Sequence, residues 1–157
     1  MPPTVYLETS VISYLTARPS RELVVAAHQQ ITAEWWSGAR TAVNAVVSQL
    51  VIEEARMGDP ESARRRLDAI AGLPVLALTD GGRELARSLL DELAVPPAAV
   101  ADALHIAIAA EHGADYRVTW NCRHIASARS RPLIEWALRA RGYHPPILCT
   151  PEELMDP

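Results

Sequence analysis

The chain has 157 residues, of which 49% are apolar and 22% are charged, and its formal net charge is −4. This composition predicts one folded domain rather than a disordered chain, and the negative charge excludes a nucleic-acid binder that relies on overall basicity. The 15 basic residues are all Arg. Because a P-loop needs a Lys at the phosphates, a nucleoside triphosphatase is also excluded.

Two features of the sequence bear on the cellular compartment. No apolar run is long enough to span a bilayer, and the N-terminus lacks the basic and apolar regions of a signal peptide. Cys122 and Cys149 are too few for a disulfide framework. We therefore expect a cytoplasmic chain with no membrane contact and with reduced thiols.

Short apolar segments alternate with segments of helical pattern along the chain. Strands are predicted at residues 5–7, 44–47, 74–78, 115–119 and 145–149. Helices are predicted at residues 9–16, from about 20 to 36, 60–71, 98–112, 124–128 and 132–141. Two more helices follow the second and third strands and extend to residues 56 and 93, respectively. This alternation predicts an α/β domain with a mainly parallel sheet of four or five strands.

Capping residues indicate where several helices begin. Ser20 is expected to cap the second helix, and Asp59 the helix that begins with Pro60. Near the C-terminus, Thr150 and Glu153 have the spacing of a capping box.

Carboxylates lie at positions where an apolar environment is expected. Glu8 follows the first strand and precedes Thr9, Glu53 and Glu54 lie on the helix after the second strand, and Asp102 lies in the apolar stretch "AAVADALHIAIAA". An unpaired buried carboxylate is costly, and several brought together repel one another. A shared cation would remove both costs.

Each carboxylate also has a structural explanation. Glu8 could cap the first helix, Glu54 could pair with an Arg, and Asp102 could lie at an opening near the start of its helix. However, the carboxyl ends of parallel strands form one edge, where functional sites of such sheets lie. We therefore expect these acids to converge there and to bind a hard cation, Mg²⁺ or Mn²⁺, through oxygen ligands.

Other polar residues accompany the acids. Asn121 follows the fourth strand and Thr119. His105 lies three residues after Asp102, where it would form a hydrogen bond in the core or bind a phosphate. Cys122 and His124 have no second pair of ligands nearby, so a zinc site is not expected. Trp35 and Trp36, at the end of the second helix, are expected in the core, with a partner groove as the alternative.

Four stretches, "VYLETS", "VVSQLVIEEARMG", "ADALHIAIAAEHGADY" and "VTWNCRHIA", resemble a PIN domain, specifically the VapC-type ribonuclease toxins of bacterial toxin–antitoxin pairs. The resemblance covers nearly the whole chain and implies one PIN-like domain over residues 1–157 with a three-layer α/β/α fold. It places the four active-site positions of the family on Glu8, Glu54, Asp102 and Asn121, with Glu53 as the alternative to Glu54.

Two of these positions depart from the family pattern. Glu8 and Asn121 stand where the family usually has Asp. The first change adds a methylene and the second removes a charge, which leaves open whether one or two metal ions bind. Ser10 and Thr119 match hydroxyl positions that often accompany the acids.

The resemblance implies a metal-dependent endoribonuclease that leaves a 5′-phosphate and a 3′-hydroxyl. Mg²⁺ or Mn²⁺ would be bound by Glu8, Glu54 and Asp102. A cognate antitoxin protein would inhibit the enzyme, and the chain would form a homodimer. RNA phosphates are expected to contact arginines near the site: Arg18, Arg21, Arg123, Arg129 and Arg131.

Other functions are less consistent with the sequence. A response-regulator receiver needs a late Lys, and a serine hydrolase needs a nucleophile elbow; both are missing. The main alternative is a catalytically weak or inactive PIN-fold module that binds RNA or protein, since Glu8 and Asn121 depart from the usual acids. The RNA target and the identity of the antitoxin are not encoded in any motif.

Overall fold

The computed structural model describes residues 1–93, 99–121 and 129–155. Its strands are β1 (Thr4–Leu7), β2 (Asn44–Ser48), β3 (Val75–Leu76), β4 (Tyr116–Val118) and β5 (Ile147–Cys149). They form one sheet in the order β3-β2-β1-β4-β5, and every neighbouring pair is parallel. The α-helices are α1 (Thr9–Thr16), α2 (Leu23–Ser37), α3 (Gln49–Ala55), α4 (Pro60–Ile70), α5 (Asp80–Leu93), α6 (Val100–Glu111) and α7 (Arg131–Ala140).

The central strand β1 lies where the strand order changes direction. Tyr6 of β1 is in register with Val46 of β2 on one side and with Arg117 of β4 on the other. The chain thus adds β2 and β3 beyond one edge of β1, and β4 and β5 beyond the other. In open parallel sheets a crevice forms at such a point, at the carboxyl ends of the strands.

The apolar residues form two clusters, each associated with helices. The first joins β1 and β2 to α1, α2 and α3, and it contains the fully buried Ile12 and Trp35. The second joins α5, α6 and α7 through residues such as Leu89, Ile106 and Leu138. The predicted α/β/α fold is therefore confirmed, with five strands that are all parallel. Trp35 lies in the core as expected.

The structure corrects the start of the second helix. The helix begins at Leu23 rather than near Ser20, and no side chain caps it. Ser20 instead stabilises the preceding loop, because its hydroxyl accepts a hydrogen bond from the Glu22 N–H and its N–H donates to Gln29. The prediction that Ser20 caps this helix is therefore wrong.

The edge strands β3 and β5 are shorter than predicted, because neighbouring groups prevent further strand pairing. Beyond β3, the N–H of Leu78 donates to the side chain of Gln49, and the carbonyl of Ala77 bonds to His112. Before β5, Pro145 and Pro146 have no N–H to donate.

Two predicted caps are present. Asp59 accepts a hydrogen bond from the Ser62 N–H at the start of α4. Thr150 and Glu153 accept from each other's backbone N–H groups across a single 3₁₀ turn. Gly58, which precedes Asp59, has a φ of 84°, a conformation that favours glycine.

Some predictions concern residues outside the described ranges. These are the helix at 124–128, the Cys122 and His124 pair, and Arg123. Cys149 is a buried free thiol, as expected. None of the helices in the described part of the chain is long and apolar enough to cross a membrane.

Candidate active site

A cavity of about 200 Å³ lies at the carboxyl edge of the sheet, beside the end of β1. Its wall combines residues that are up to 113 positions apart in the sequence. The lining residues are Glu8, Thr9, Ser10, Glu54, Ala101, Asp102, His105 and Asn121. The cavity therefore brings together all four positions that the sequence singled out, together with two of their expected polar neighbours.

Four elements supply these side chains. Glu8 connects β1 to α1, Glu54 lies in the last turn of α3, Asp102 lies in the first turn of α6, and Asn121 follows β4. Each element is held in place by apolar packing, so the polar groups converge because the sheet and its helices converge. The neighbouring Glu53 is exposed and does not line the cavity.

Glu8 forms a buried ion pair with Arg117 of β4. The distance from Arg117 Nη1 to Glu8 Oε2 is 2.5 Å, and each side chain is only 5% exposed. The backbone of Glu8 occupies the N-cap position of α1, but its side chain makes no capping hydrogen bond. The Glu8 side chain therefore does not cap α1, which was the structural explanation for this carboxylate. The sequence did not predict its ion pair with Arg117.

The position of Arg117 follows from the register of the sheet. Tyr6 and Glu8 are two residues apart, so their side chains leave β1 on the same face. Arg117 is the register partner of Tyr6 and projects from that face too. In the sequence, Arg117 appears as an Arg within the strand segment "DYRVT". An Arg in such a segment is equally typical of an exposed position, so it did not indicate a buried ion pair.

Glu54 is held by two hydrogen bonds to the same carboxylate oxygen. Thr9 Oγ1 donates to Glu54 Oε1 at 2.6 Å, and His105 Nε2 lies 2.7 Å from the same atom. The structural explanation for Glu54 was an ion pair with an Arg. Among the described residues no Arg pairs with it.

His105 is in turn fixed by Tyr6. The Tyr6 hydroxyl lies 2.6 Å from His105 Nδ1 and 2.8 Å from Ser48 Oγ. A carboxylate oxygen can only accept, so His105 Nε2 carries the hydrogen in its bond to Glu54. In a neutral imidazole, Nδ1 then accepts from Tyr6, and Tyr6 accepts from Ser48. A chain of hydrogen bonds thus leads from the core to Glu54.

The environment of these groups determines their charge at neutral pH. Burial raises the pKa of Tyr6 far above its usual range, so its hydroxyl remains a donor. Partial burial alone would raise the pKa of Glu54, but the hydrogen bonds from His105 and Thr9, together with the electrostatic attraction of the imidazole, outweigh it and lower that pKa. Glu54 is therefore an anion under ordinary conditions.

Hydroxyl groups organise the segment that carries Asn121. Thr119 Oγ1 accepts from the Asn121 N–H at 2.9 Å, and Ser10 Oγ accepts from the Trp120 N–H at 3.0 Å. The two hydroxyls lie 3.2 Å apart. The Asn121 amide donates to Asp102 Oδ1 at 3.4 Å, which joins the ends of β4 and α6. Ser10 and Thr119 thus position the segment that carries a site residue, and Ser10 also lines the cavity.

The donor atoms fit a hard divalent cation in their chemistry. One oxygen of Glu8 and one of Glu54 are held by hydrogen bonds, while Glu8 Oε1 and Glu54 Oε2 have no hydrogen-bond partner in the described ranges. Oxygen ligands oriented by such outer contacts are typical of Mg²⁺ and Mn²⁺ sites. However, no three His, Cys, Asp or Glu side chains among the described residues are already arranged to hold a metal ion.

The arginines expected to contact RNA are distributed around the cavity rather than in its wall. Arg18 lines a separate pocket of about 460 Å³ at the other end of α1. Arg131 lines an apolar cavity of about 300 Å³ next to α7. Arg21 and Arg129 are exposed and line none of these cavities. Arg123 lies outside the described residues.

Comparison with known proteins identifies the family. A model of the family described as "PIN domain" matches residues 5–120. No curated protein matches the sequence significantly. A chain of the crystal structure of VapBC2 from Rickettsia felis bound to a DNA fragment from their promoter has a similar fold, with a TM-score of 0.53, 15% identity and coverage of 94% of this chain and 98% of that chain. The family model spans well over half of the sequence, so the chain belongs to the PIN domain family.

Proposed function

We propose that this PIN domain is a metal-dependent endoribonuclease, the toxin of a VapC-type toxin–antitoxin pair. PIN domains are generally nucleases, and the fold is similar to that of a VapBC2 chain. The observation that carries the proposal is the cavity in which Glu8, Glu54, Asp102 and Asn121 meet.

The reaction is hydrolysis of an RNA phosphodiester. Water adds to phosphorus, the bond from phosphorus to the 3′ oxygen breaks, and the proton from water ends on that oxygen. The products are a 5′-phosphate and a 3′-hydroxyl. A bound Mg²⁺ or Mn²⁺ supplies Lewis acidity for this chemistry at neutral pH.

The residues of the cavity have separate tasks in this proposal. Glu54 and Asp102 would hold the ion, with the second oxygen of Glu8. His105 and Thr9 orient Glu54 through hydrogen bonds to one of its oxygens, which leaves the other oxygen for the ion. Asn121 is oriented by Thr119 and would donate an amide hydrogen to the substrate phosphate.

The proposal is tested with purified chain, free of any partner protein, and RNA of mixed sequence. Cleavage is expected with Mn²⁺ or Mg²⁺ and is expected to stop when EDTA is added. Sequencing of the fragment ends should show 5′-phosphates and 3′-hydroxyls. Cleavage that persists in EDTA, or that leaves cyclic phosphates, would exclude the proposed chemistry.

The second candidate is a PIN-fold module that binds RNA or protein without cutting. Two observations favour it: Glu8 is paired with Arg117, and Asn121 contributes no charge. RNA binding without cleavage in either metal would support this module and reject the nuclease.

Removal of the Tyr6 hydroxyl tests the chain of hydrogen bonds behind Glu54. Tyr6→Phe is expected to weaken Mn²⁺ binding by about tenfold, because residues that orient a metal ligand typically contribute 10–100-fold to affinity. Isothermal titration calorimetry measures the change. Tyr116→Phe on β4 is the matched control, since the Tyr116 hydroxyl makes no hydrogen bond in the described part of the chain. Equal affinities in both variants would show that His105 needs no support from Tyr6.

We propose that RNA extends from the cavity along α1 to Arg18. The eight residues of α1 separate the two ends by about 12 Å. In the pocket at the far end, Arg65 and Arg66 donate to backbone carbonyls, while Arg18 is exposed.

Arg18→Ala is therefore expected to weaken RNA binding and to reduce the slope of log affinity against log salt by about one. Fluorescence anisotropy at several salt concentrations measures both. The exposed Arg83→Ala on α5, which pairs with Asp80, is the control and should change neither quantity. An unchanged slope for Arg18→Ala would remove Arg18 from the RNA path.

We also propose an antitoxin partner and a homodimer. Exposed apolar side chains offer two surfaces for these contacts: Leu23 and Val24 at the start of α2, and Leu133 and Trp136 on α7. Native mass spectrometry of the purified chain tests the dimer.

A further inference from the structure

The ion pair of Glu8 and Arg117 lies between two cavities. Glu8 lines the cavity of the proposed active site, whereas Arg117 lines the separate cavity of about 300 Å³ beside α7, which we call the α7 cavity. Arg117 is only 4% exposed, and its guanidinium is always charged at physiological pH. A permanent cation is therefore buried in the wall of a cavity that the proposed nuclease does not use.

Arg117 has hydrogen-bond donors that Glu8 does not occupy. A guanidinium carries five N–H groups, and Glu8 accepts from Nη1 alone. Nε and Nη2 make no hydrogen bond within the described ranges. Buried donors normally have a partner, because an unpaired polar group in an apolar environment costs free energy. Since Arg117 lines the α7 cavity, these donors are available to an acceptor that enters it.

The rest of the cavity wall is mainly apolar. Ile134 and Leu138 of α7 are one helical turn apart and lie on the same face, and Ile106 of α6 lines the cavity beside them. All three are buried. Pro146 and Leu148 line the cavity from β5 and the loop before it, and Leu148 is the register partner of Arg117. Such a wall with one polar group favours a ligand that has an apolar body.

The charges around the cavity favour an anion. Arg131 and Arg139, near the two ends of α7, are exposed and line the cavity, together with one acid, Glu135. The cations thus outnumber the acid here, although the whole chain has a net charge of −4. The planar guanidinium of an Arg matches the geometry of a carboxylate, which it binds through parallel hydrogen bonds. A carboxylate therefore fits both the free donors and the local charge.

We propose that the α7 cavity binds a small apolar carboxylic acid, with its carboxylate on Arg117 and its apolar body against Ile134 and Leu138. A volume of about 300 Å³ lies at the lower end of the range for small-molecule sites, which suits a free acid of this kind. Because the two cavities are separate, the α7 cavity can bind its ligand whether or not the chain is a nuclease. Because Arg117 also holds Glu8, binding of the acid is coupled to the state of Glu8.

Paired ligands test the proposal on the unmodified chain. Octanoate and phenylacetate are titrated into isotope-labelled protein and followed by nuclear magnetic resonance, with octanamide and phenylacetamide as their uncharged counterparts. At least one acid is expected to bind in a saturable way and to shift the Nε–H signal of Arg117. It should bind at least about tenfold more tightly than its amide, because hydrogen bonds between two charged groups are the stronger ones. Equal affinities of acid and amide, or no saturable binding of either acid, would overturn the proposal.

Variants of the ion pair give a second test, with a predicted gain of affinity. Glu8→Gln removes the carboxylate that competes for Arg117, so it is expected to bind the acid about tenfold more tightly. Glu8→Gln/Arg117→Met also removes the cation and is expected to lose binding. Arg83→Met, which breaks an exposed pair with Asp80, should bind like the unmodified chain. Weaker binding by folded Glu8→Gln, or retained binding by the double variant, would contradict the proposal.

Circular dichroism establishes that each variant is folded. If Glu8→Gln does not fold, the double variant is compared with the unmodified chain instead, since it leaves no buried charge of this pair without a partner. A blocked Leu-Glu-Leu peptide distinguishes the source of the carboxylate. Tighter binding of this peptide than of both free acids would assign the α7 cavity to a segment of a partner protein and reject the small acid as its ligand.

Discussion

Glu54→Gln is expected to reduce RNA cleavage by at least about 100-fold, because a metal ion in such a site contributes several kcal/mol of charge stabilisation and every 1.4 kcal/mol is a factor of ten. Glu54 lines the cavity as an anion, and both of its hydrogen-bond donors, Thr9 and His105, remain in the variant. The amide would keep the size of the side chain and remove its charge. Initial rates of cleavage at saturating Mn²⁺ measure the effect.

Glu53→Gln is the matched control for this prediction. The two residues are adjacent on α3 and chemically identical, but Glu53 is exposed and faces away from the cavity. Its replacement is expected to leave the cleavage rate within about twofold, as is usual for surface changes. Loss of activity in Glu53→Gln rather than Glu54→Gln would mean that the acid of α3 was assigned incorrectly.

Arg117→Met is expected to lower the free energy of unfolding by about 3–5 kcal/mol, because it leaves the buried Glu8 carboxylate without its partner. For a chain of this size, such a loss corresponds to a fall in Tm of roughly 10 °C. Thermal denaturation followed by circular dichroism gives the value.

Two controls separate the ion pair from general effects of the substitution. Glu8→Gln/Arg117→Met removes both charges and is expected to recover most of the lost stability. Arg83→Met breaks the exposed pair with Asp80 and should leave Tm close to that of the unmodified chain. A double variant as unstable as Arg117→Met would indicate that Arg117 contributes through packing of its aliphatic part.

Much of the fold was predictable because its signals are local. Short β-branched strands, Asp59 before Pro60 and the Thr150 and Glu153 capping box each act within a few residues, and the structure contains all of them. The start of α2 was wrong because Ser20 has the chemistry of a cap but bonds to Glu22 and Gln29 instead. The length of β3 depends on the Gln49 and His112 side chains, which bond to the backbone beyond it. The length of β5 depends on the two preceding prolines, which have no N–H to donate.

The acids of the cavity were predictable for a different reason. Burying a carboxylate without a partner costs much free energy. A carboxylate in an apolar segment, such as Asp102 in α6, therefore indicates a function even before its partner is known. The partners themselves were not predictable. Arg117 meets Glu8 across 109 positions, and Tyr6 reaches His105 across 99, so both contacts depend on strand register and helix placement. Sequence patterns indicate which groups need a partner, but only the tertiary structure identifies it.

The central position of β1 has a consequence for synthesis of the chain on the ribosome. One edge of β1 pairs with residues 44–46, which are synthesised early. The other edge pairs with residues 116–118, which are synthesised much later. Asp102 and Asn121 are also supplied late, so a nascent chain already carries Glu8 and Glu54 without the residues that complete the cavity. Because domains generally fold as units, the cavity forms only near the end of translation. A chain that ends before residue 121 therefore lacks part of the cavity wall.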